Sequence, residues 1–188
     1  MRTWPFITEA ILAASVASGA LVENGSFEAD RFSRAPGYAG GANGAMTGWE
    51  TEGRAGLNPA GRQRPFHDNG RVPHGSQVAV IQSAGTLRQT VDGLQPGQKY
   101  RLRLRANARY FYAETEPVLG VEVDGTEVIS PVTIHPVGDR NDDRPPFHQL
   151  ISEPFTAPAS GSVRLTIRSI RDAECALLID DVSLEALP

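Results

Sequence analysis

The run Asn107-Ala108-Arg109-Tyr110-Phe111-Tyr112 gathers a carboxamide, a guanidinium and three aromatic rings into one short stretch. That mixture suits recognition of a sugar. Ring faces take its C–H patches, Arg109 donates through a rigid fork, and Asn107 both donates and accepts. Tyr38, in a glycine-rich stretch, and the aromatic–polar pairs Phe66-His67 and Phe147-His148 repeat the combination. Asn107, Arg109, Tyr110, Tyr112, Tyr38, Phe66, His67 and His148 are therefore the candidate ligand residues. The competing reading is that these aromatics cap the open ends of a fold and pin its loops.

Residues that would do covalent or acid–base chemistry fall into no recognisable spacing. The histidines His67, His74, His135 and His148 are scattered and form neither a His-Glu-x-x-His motif nor a zinc pattern. There is no Gly-x-Ser-x-Gly elbow and no Gly-x-x-x-x-Gly-Lys phosphate loop. Asp139, Asp142 and Asp143 supply paired carboxylates, but a proline-rich polar loop makes a solvated turn the default. That loop is not an EF-hand either, because Leu150 stands where the closing glutamate belongs. The expectation is a chain that is not an enzyme. Cys175, the only cysteine, lies in the apolar run Cys175-Ala176-Leu177-Leu178-Ile179 and reads as a small buried hydrophobe. Arg101, Arg103, Arg105, Arg164 and Arg168 would suit an acidic polysaccharide if they formed one stripe. A solvated face balanced by Glu122 and Glu127 is the preferred account.

Composition bounds the scaffold that must position these groups. The 188 residues are 40% hydrophobic and 21% charged, enough to build a core. A net charge of −4 argues against a nucleic-acid partner. No apolar stretch is long enough to span a bilayer. Residues 1–20 combine Arg2, an apolar stretch interrupted by Thr8 and Glu9, and small residues up to Ala20. They read as a degenerate signal peptide or a short N-terminal helix, ahead of one domain over residues 21–188.

From Leu21 onward the pattern is strands and turns. Tyr100, Leu102, Leu104 and Ala106 alternate with Lys99, Arg101, Arg103 and Arg105, and Val163 to Arg168 repeats the design. Leu119 to Val123 and Glu127 to Ile129 flank Asp124-Gly125, which has the chemistry of a tight hairpin. Further strands are expected at Gln77 to Gln82, Thr86 to Val91, Val132 to His135, Phe147 to Phe155 and Ala176 to Leu184. Apolar parity switches between Leu177/Ile179 and Val182/Leu184, so a β-bulge is expected near Asp180-Asp181. Residues 30–75 and 136–146 read as long irregular loops. The whole is an all-β antiparallel sandwich of jelly-roll type.

Three islands carry a resemblance: Leu21 to Glu28 (with Gly48-Trp49 beyond it), Leu87 to Tyr100, and Leu178 to Leu184. Together they resemble the galactose-binding-domain-like jelly rolls, which include many carbohydrate-binding modules of bacterial glycoside hydrolases. The resemblance implies a structural calcium held by Glu28 and Asp180, with backbone carbonyls near Ser26 and Gly75-Ser76. The competing reading makes both acids turn carboxylates. The resemblance also implies a polysaccharide or glycan partner, a non-catalytic binding role and a secreted or cell-surface location within a larger assembly, with a cytoplasmic location left open. An adhesive or structural sandwich contacting protein or envelope, and a small hydrolase, stay open as alternatives. Trp49 is assigned to the core.

Overall fold

A computed structural model describes residues 21–59, 71–110, 113–138 and 147–188. The reading of residues 1–20 lies outside these, as do Phe66, His67, Tyr112 and the acidic stretch from 139 to 146. The strands are β1 (Glu50–Pro59), β2 (Gln77–Val91), β3 (Lys99–Ala108), β4 (Val118–Val123), β5 (Thr126–Thr133), β6 (His148–Ile151), β7 (Phe155–Thr156), β8 (Val163–Ser169) and β9 (Ala176–Ala186). All pair antiparallel in the order β5-β4-β8-β2-β9-β3-β6, with β1 on β2 and β7 on β3. The expected all-β antiparallel sandwich of jelly-roll type is the fold observed.

One long strand joins the two layers. Ala79–Gln82 of β2 pairs with β9, whereas Gly85–Val91 pairs with β8. Between them, Ser83 and Ala84 have no opposite residues on β1, because Gln82 faces Arg54 and Gly85 faces Gly53. Positive φ at Ser83 (59°) and Gly53 (76°) bends both strands there. The two strands expected at Gln77–Gln82 and Thr86–Val91 are therefore one bent strand. The front layer is β1–β2–β9–β3–β6, and the back layer is β1–β2–β8–β4–β5.

Strand β1 corrects the reading of residues 30–75 as irregular. Its sequence looks turn-like because Gly53 sits at the bend and Gly56 admits a neighbouring chain. A Cβ at Gly56 would lie 2.6 Å from Tyr38 Cα and collide with the Gly37 carbonyl. Without it, residues 37–39 dock on the edge of β1, with Leu57 N–H donating to Gly37 O and Ala39 N–H to Ala55 O, both 2.8 Å. The expected strand Phe147–Phe155 is split into β6 and β7. Ser152 and Glu153 turn out to bond Leu102 O and Val128 O, and Pro154 has no N–H to continue a ladder. The segment expected at Val132–His135 is the end of β5, which begins at Thr126 and stops at Thr133.

The core fills the space between the layers with Leu102, Leu104 and Ala106 from β3, Leu165 and Ile167 from β8, and Leu119 and Val121 from β4. Trp49 is buried against Phe27, ring centroids 5.3 Å apart, and its indole N–H donates to Asn24 O. Asp124 and Gly125 both take positive φ, which fits the two-residue hairpin between β4 and β5. The bulge expected from parity is present: Arg103 faces Ser183 and Arg105 faces Asp180, two steps on β3 against three on β9. Asp181 takes φ 51° there, returning Val182 and Leu184 to the core side.

Candidate ligand face and carboxylate cluster

Val78, Ala79, Val80 and Ile81 are apolar and fully buried at consecutive positions, so β2 is covered on both sides here. Ala79 and Ile81 face the main core. Val78 and Val80 face outward and join Val72, Phe147, Ala176 and Leu178 in a second apolar cluster. Register places three rows on this outer face. One runs Asn58–Val78, continuing to Asp180, Arg105 and Gln149; the next is Gly56–Val80–Leu178–Asn107; the third is Arg54–Gln82–Ala176. Arg109 extends the third row, its N–H donating to Ala176 O at 3.0 Å.

The third row is polar where the second cluster ends. Gln82 is 8% and Arg109 9% exposed, although neither faces the main core. The Tyr38 hydroxyl hydrogen-bonds Gln82 Oε1, while Gln82 Nε2 donates to Glu174 Oε1 at 2.5 Å. Arg54 donates to Ser83 Oγ at 2.6 Å and lies 4.0 Å from Glu174. Burial pushes the Tyr38 phenol above its ordinary value and Glu174 adds to this, whereas Arg54 and Arg109 oppose it. Tyr110, 56% exposed, follows Arg109 directly. The result is a hydrogen-bonded polar cluster beside a buried apolar patch, with phenol rings from two chain segments.

At the other end of the same face, two carboxylates approach each other. Asp180 is fully buried and accepts from His74 N–H and Asp181 N–H at 2.8 and 2.7 Å. Glu28 Oε1 accepts from Ser76 N–H and Gln77 N–H at 2.8 and 2.9 Å. Gln77 Nε2 donates to the Phe27 and Asp30 carbonyls at 2.5 and 2.7 Å, which ties the segment carrying Glu28 to the start of β2. Desolvation raises Asp180 to about 7, helped by the negative charge of Asp181 and Glu28. Among the described residues no three His, Cys, Asp or Glu side chains converge. The two carboxylates offer oxygen atoms alone, a donor type that suits a hard cation better than zinc. Arg31, 3.5 Å from Glu28, is an exposed partner only.

The candidate ligand residues divide accordingly. Tyr38 and Arg109 meet at the polar end, with Tyr110 beside them. Asn107 is buried between the two ends and uses both ends of its amide on Val137, at 3.0 and 3.1 Å, so it pins that segment. His148 lies on β6 with Nε2 2.9 Å from His135 O. Phe66, His67 and Tyr112 fall outside the described residues. Sequence reading missed Arg54, Gln82, Ser83 and Glu174. The available signal was Gln82 closing a run buried on both faces. Cys175 is buried as expected, and burial raises its thiol pKa.

Fold and face together define a jelly-roll sandwich with a half-buried polar cluster at one end of its front layer. Solved structures show the same architecture. TmCBM61 in complex with β-1,4-galactotriose superposes with TM-score 0.60 at 16% identity, covering 90% of this chain and all (100%) of that one. The CBM22-1 xylan-binding domain of Paenibacillus barcinonensis Xyn10C gives 0.50 at 13% identity, covering 79% and 89%. The enzymatically active domain of bacteriophage CBA120 tailspike protein 4 gives 0.50 at 13%, covering 89% of this chain and 21% of that chain. At such identities the likeness establishes the fold. No curated protein matches the sequence.

Residues 19–130 match the model of the HpiC1-like family, described as HpiC1 cyclase, and the chain belongs to that family. This corrects the expectation that the chain is not an enzyme, since the family is an enzyme family. The physical reason is that missing nucleophile, zinc and phosphate-loop spacings exclude those chemistries alone, and acid–base catalysis by residues gathered from distant segments leaves no spaced motif.

Proposed function

We propose that the polar end of the outer face binds a glycan, and that Glu28 and Asp180 hold a structural calcium. The observation that supports the first part is the burial of Gln82 and Arg109 on a face outside the core, flanked by Tyr38 and Tyr110. Gln82 spends both ends of its amide on Tyr38 and Glu174 and so orients them, and the Tyr38 and Tyr110 rings with Arg109 and Glu174 then offer what a pyranose requires: polar groups for hydroxyls, rings for C–H faces. The neighbours named for β-1,4-galactotriose and xylan make β-1,4-linked oligosaccharides the first probes. A secreted or cell-surface setting fits a glycan target. Bound calcium would neutralise two facing carboxylates and tie the residue 24–28 segment to the bulge of β9.

Calorimetric titration with β-1,4-galactotriose and xylotriose tests the site. Binding by the wild type, lost in Gln82→Ala and Arg109→Ala at unchanged melting temperature, supports the reading. Equal behaviour of variants and wild type, or no binding to any glycan of a broad panel, favours an adhesive sandwich.

A second reading has its own observation. Glu174 is the carboxylate of the polar end, next to the apolar Ala176–Leu178 floor, and the family is described as a cyclase. In that reading the Glu174 carboxylate, beside Arg54, acts as general base and takes up the proton that a cyclising substrate loses. Cyclised product formed by the wild type and absent with Glu174→Gln, binding being retained, selects this reading.

A further inference from the structure

Beyond the bulge, on the same outer face, lies a groove of about 340 Å³ lined by Arg103, Leu104, Arg105, Gln149, Asp181 and Ser183. It is separate from the polar end. Asn107 lies between the two on β3, its amide closed on Val137, and Phe147 covers the apolar floor beside it. Arg105 and Arg109 are four residues apart on one strand, about 13 Å.

The groove owes its shape to the extra residue of β9, which turns Asp181 and Ser183 toward β3. Leu104 is core-facing and contributes main chain only. Arg103 commits one guanidinium arm to Glu185 Oε2 at 2.6 Å. Arg105 sits directly opposite the buried Asp180, yet Asp180 accepts from two backbone N–H groups. Arg105 lines the groove, and among the described residues it shows no ion pair or side-chain hydrogen bond, the nearest carboxylate included.

We infer that this groove binds a hydroxylated carboxylate, namely a sugar acid. The Arg105 fork matches a carboxylate in two parallel hydrogen bonds. Gln149 and Ser183 both donate and accept, and the Asp181 carboxylate accepts from hydroxyls that a simple anion lacks. The inference stands apart from the glycan reading of the Tyr38 end, since the two share no side chain.

Titration of the full chain by NMR or calorimetry with sodium D-glucuronate, D-glucose and sodium acetate tests it, in low salt with calcium present. Glucuronate should bind, with glucose and acetate weaker by roughly tenfold or more. Arg105→Gln should weaken glucuronate by roughly tenfold to a hundredfold while leaving the melting temperature unchanged. Gln82→Ala should leave glucuronate binding intact, which separates failure here from failure at the polar end. Binding of glucose or acetate as tightly as glucuronate, an unaffected Arg105→Gln variant, or no glucuronate binding at all overturns the inference.

Discussion

Asp180 shows how one side chain sets conditions for the whole site. Its carboxyl, held at about 7 by desolvation and by neighbouring Asp181 and Glu28, takes up a proton more readily folded than unfolded. Without a cation the stabilisation that Asp180 contributes is therefore fully present below about pH 4 and is lost as pH rises to about 7. The full effect is on the order of 4 kcal/mol. Melting curves in chelator across that range should show the decline, and Asp180→Asn should flatten it. Calcium should restore the wild type at neutral pH and leave Asp180→Asn unmoved. A wild-type melting temperature indifferent to both pH and calcium would remove the calcium proposal. At the polar end, Tyr38→Phe deletes only the hydroxyl that bonds Gln82. Ligand affinity should drop by a factor of roughly five to ten with little change in stability, as titration of the variant would show.

Elements explain why part of this site was legible in the sequence and part was not. The β9 bulge could be read from Leu177, Ile179, Val182 and Leu184 because apolar parity counts residues directly. The Asp124-Gly125 hairpin was equally plain, since two positive φ values call for those residue types. Strand β1 was hidden because its glycines serve contacts with chain that is remote in sequence: Gly56 meets residues 37–38, and Gly53 meets Ala84-Gly85. Local propensity weighs such glycines as turn formers, whereas tertiary packing decides their use. Gly56→Ala is accordingly expected to undock residues 37–39, costing about 2–4 kcal/mol. It should lower melting temperature and ligand affinity together, since Tyr38 moves with that segment. Gly125→Ala, which meets open space and only backbone strain, should cost about 1 kcal/mol and spare the affinity. Chemical denaturation of both variants measures the contrast.

At the scale of the molecule, the bend shared by β1 and β2 decides which residues become neighbours. It puts Arg101, Arg103 and Arg105 on the front layer and Arg164 and Arg168 on the back, so the five arginines form two groups rather than one stripe. Arg168 pairs with Glu122 as anticipated, but Arg164 pairs with Glu50, and Glu127 instead accepts from Ser130 Oγ at 2.6 Å. The bend also leaves the front layer with an outer face that is apolar in its middle and polar at both ends. Tyr38, Gln82, Glu174 and Arg109 come from four separate stretches of chain, and no local pattern could have assembled them. The most direct test of that face as the ligand site is amide chemical-shift mapping of the full chain titrated with β-1,4-galactan and xylan oligosaccharides. Perturbations centred on Tyr38, Gln82, Arg109 and Glu174 are the result expected. Shifts confined to the back layer or to the Leu94–Gly97 turn, or none with either series, would contradict the account.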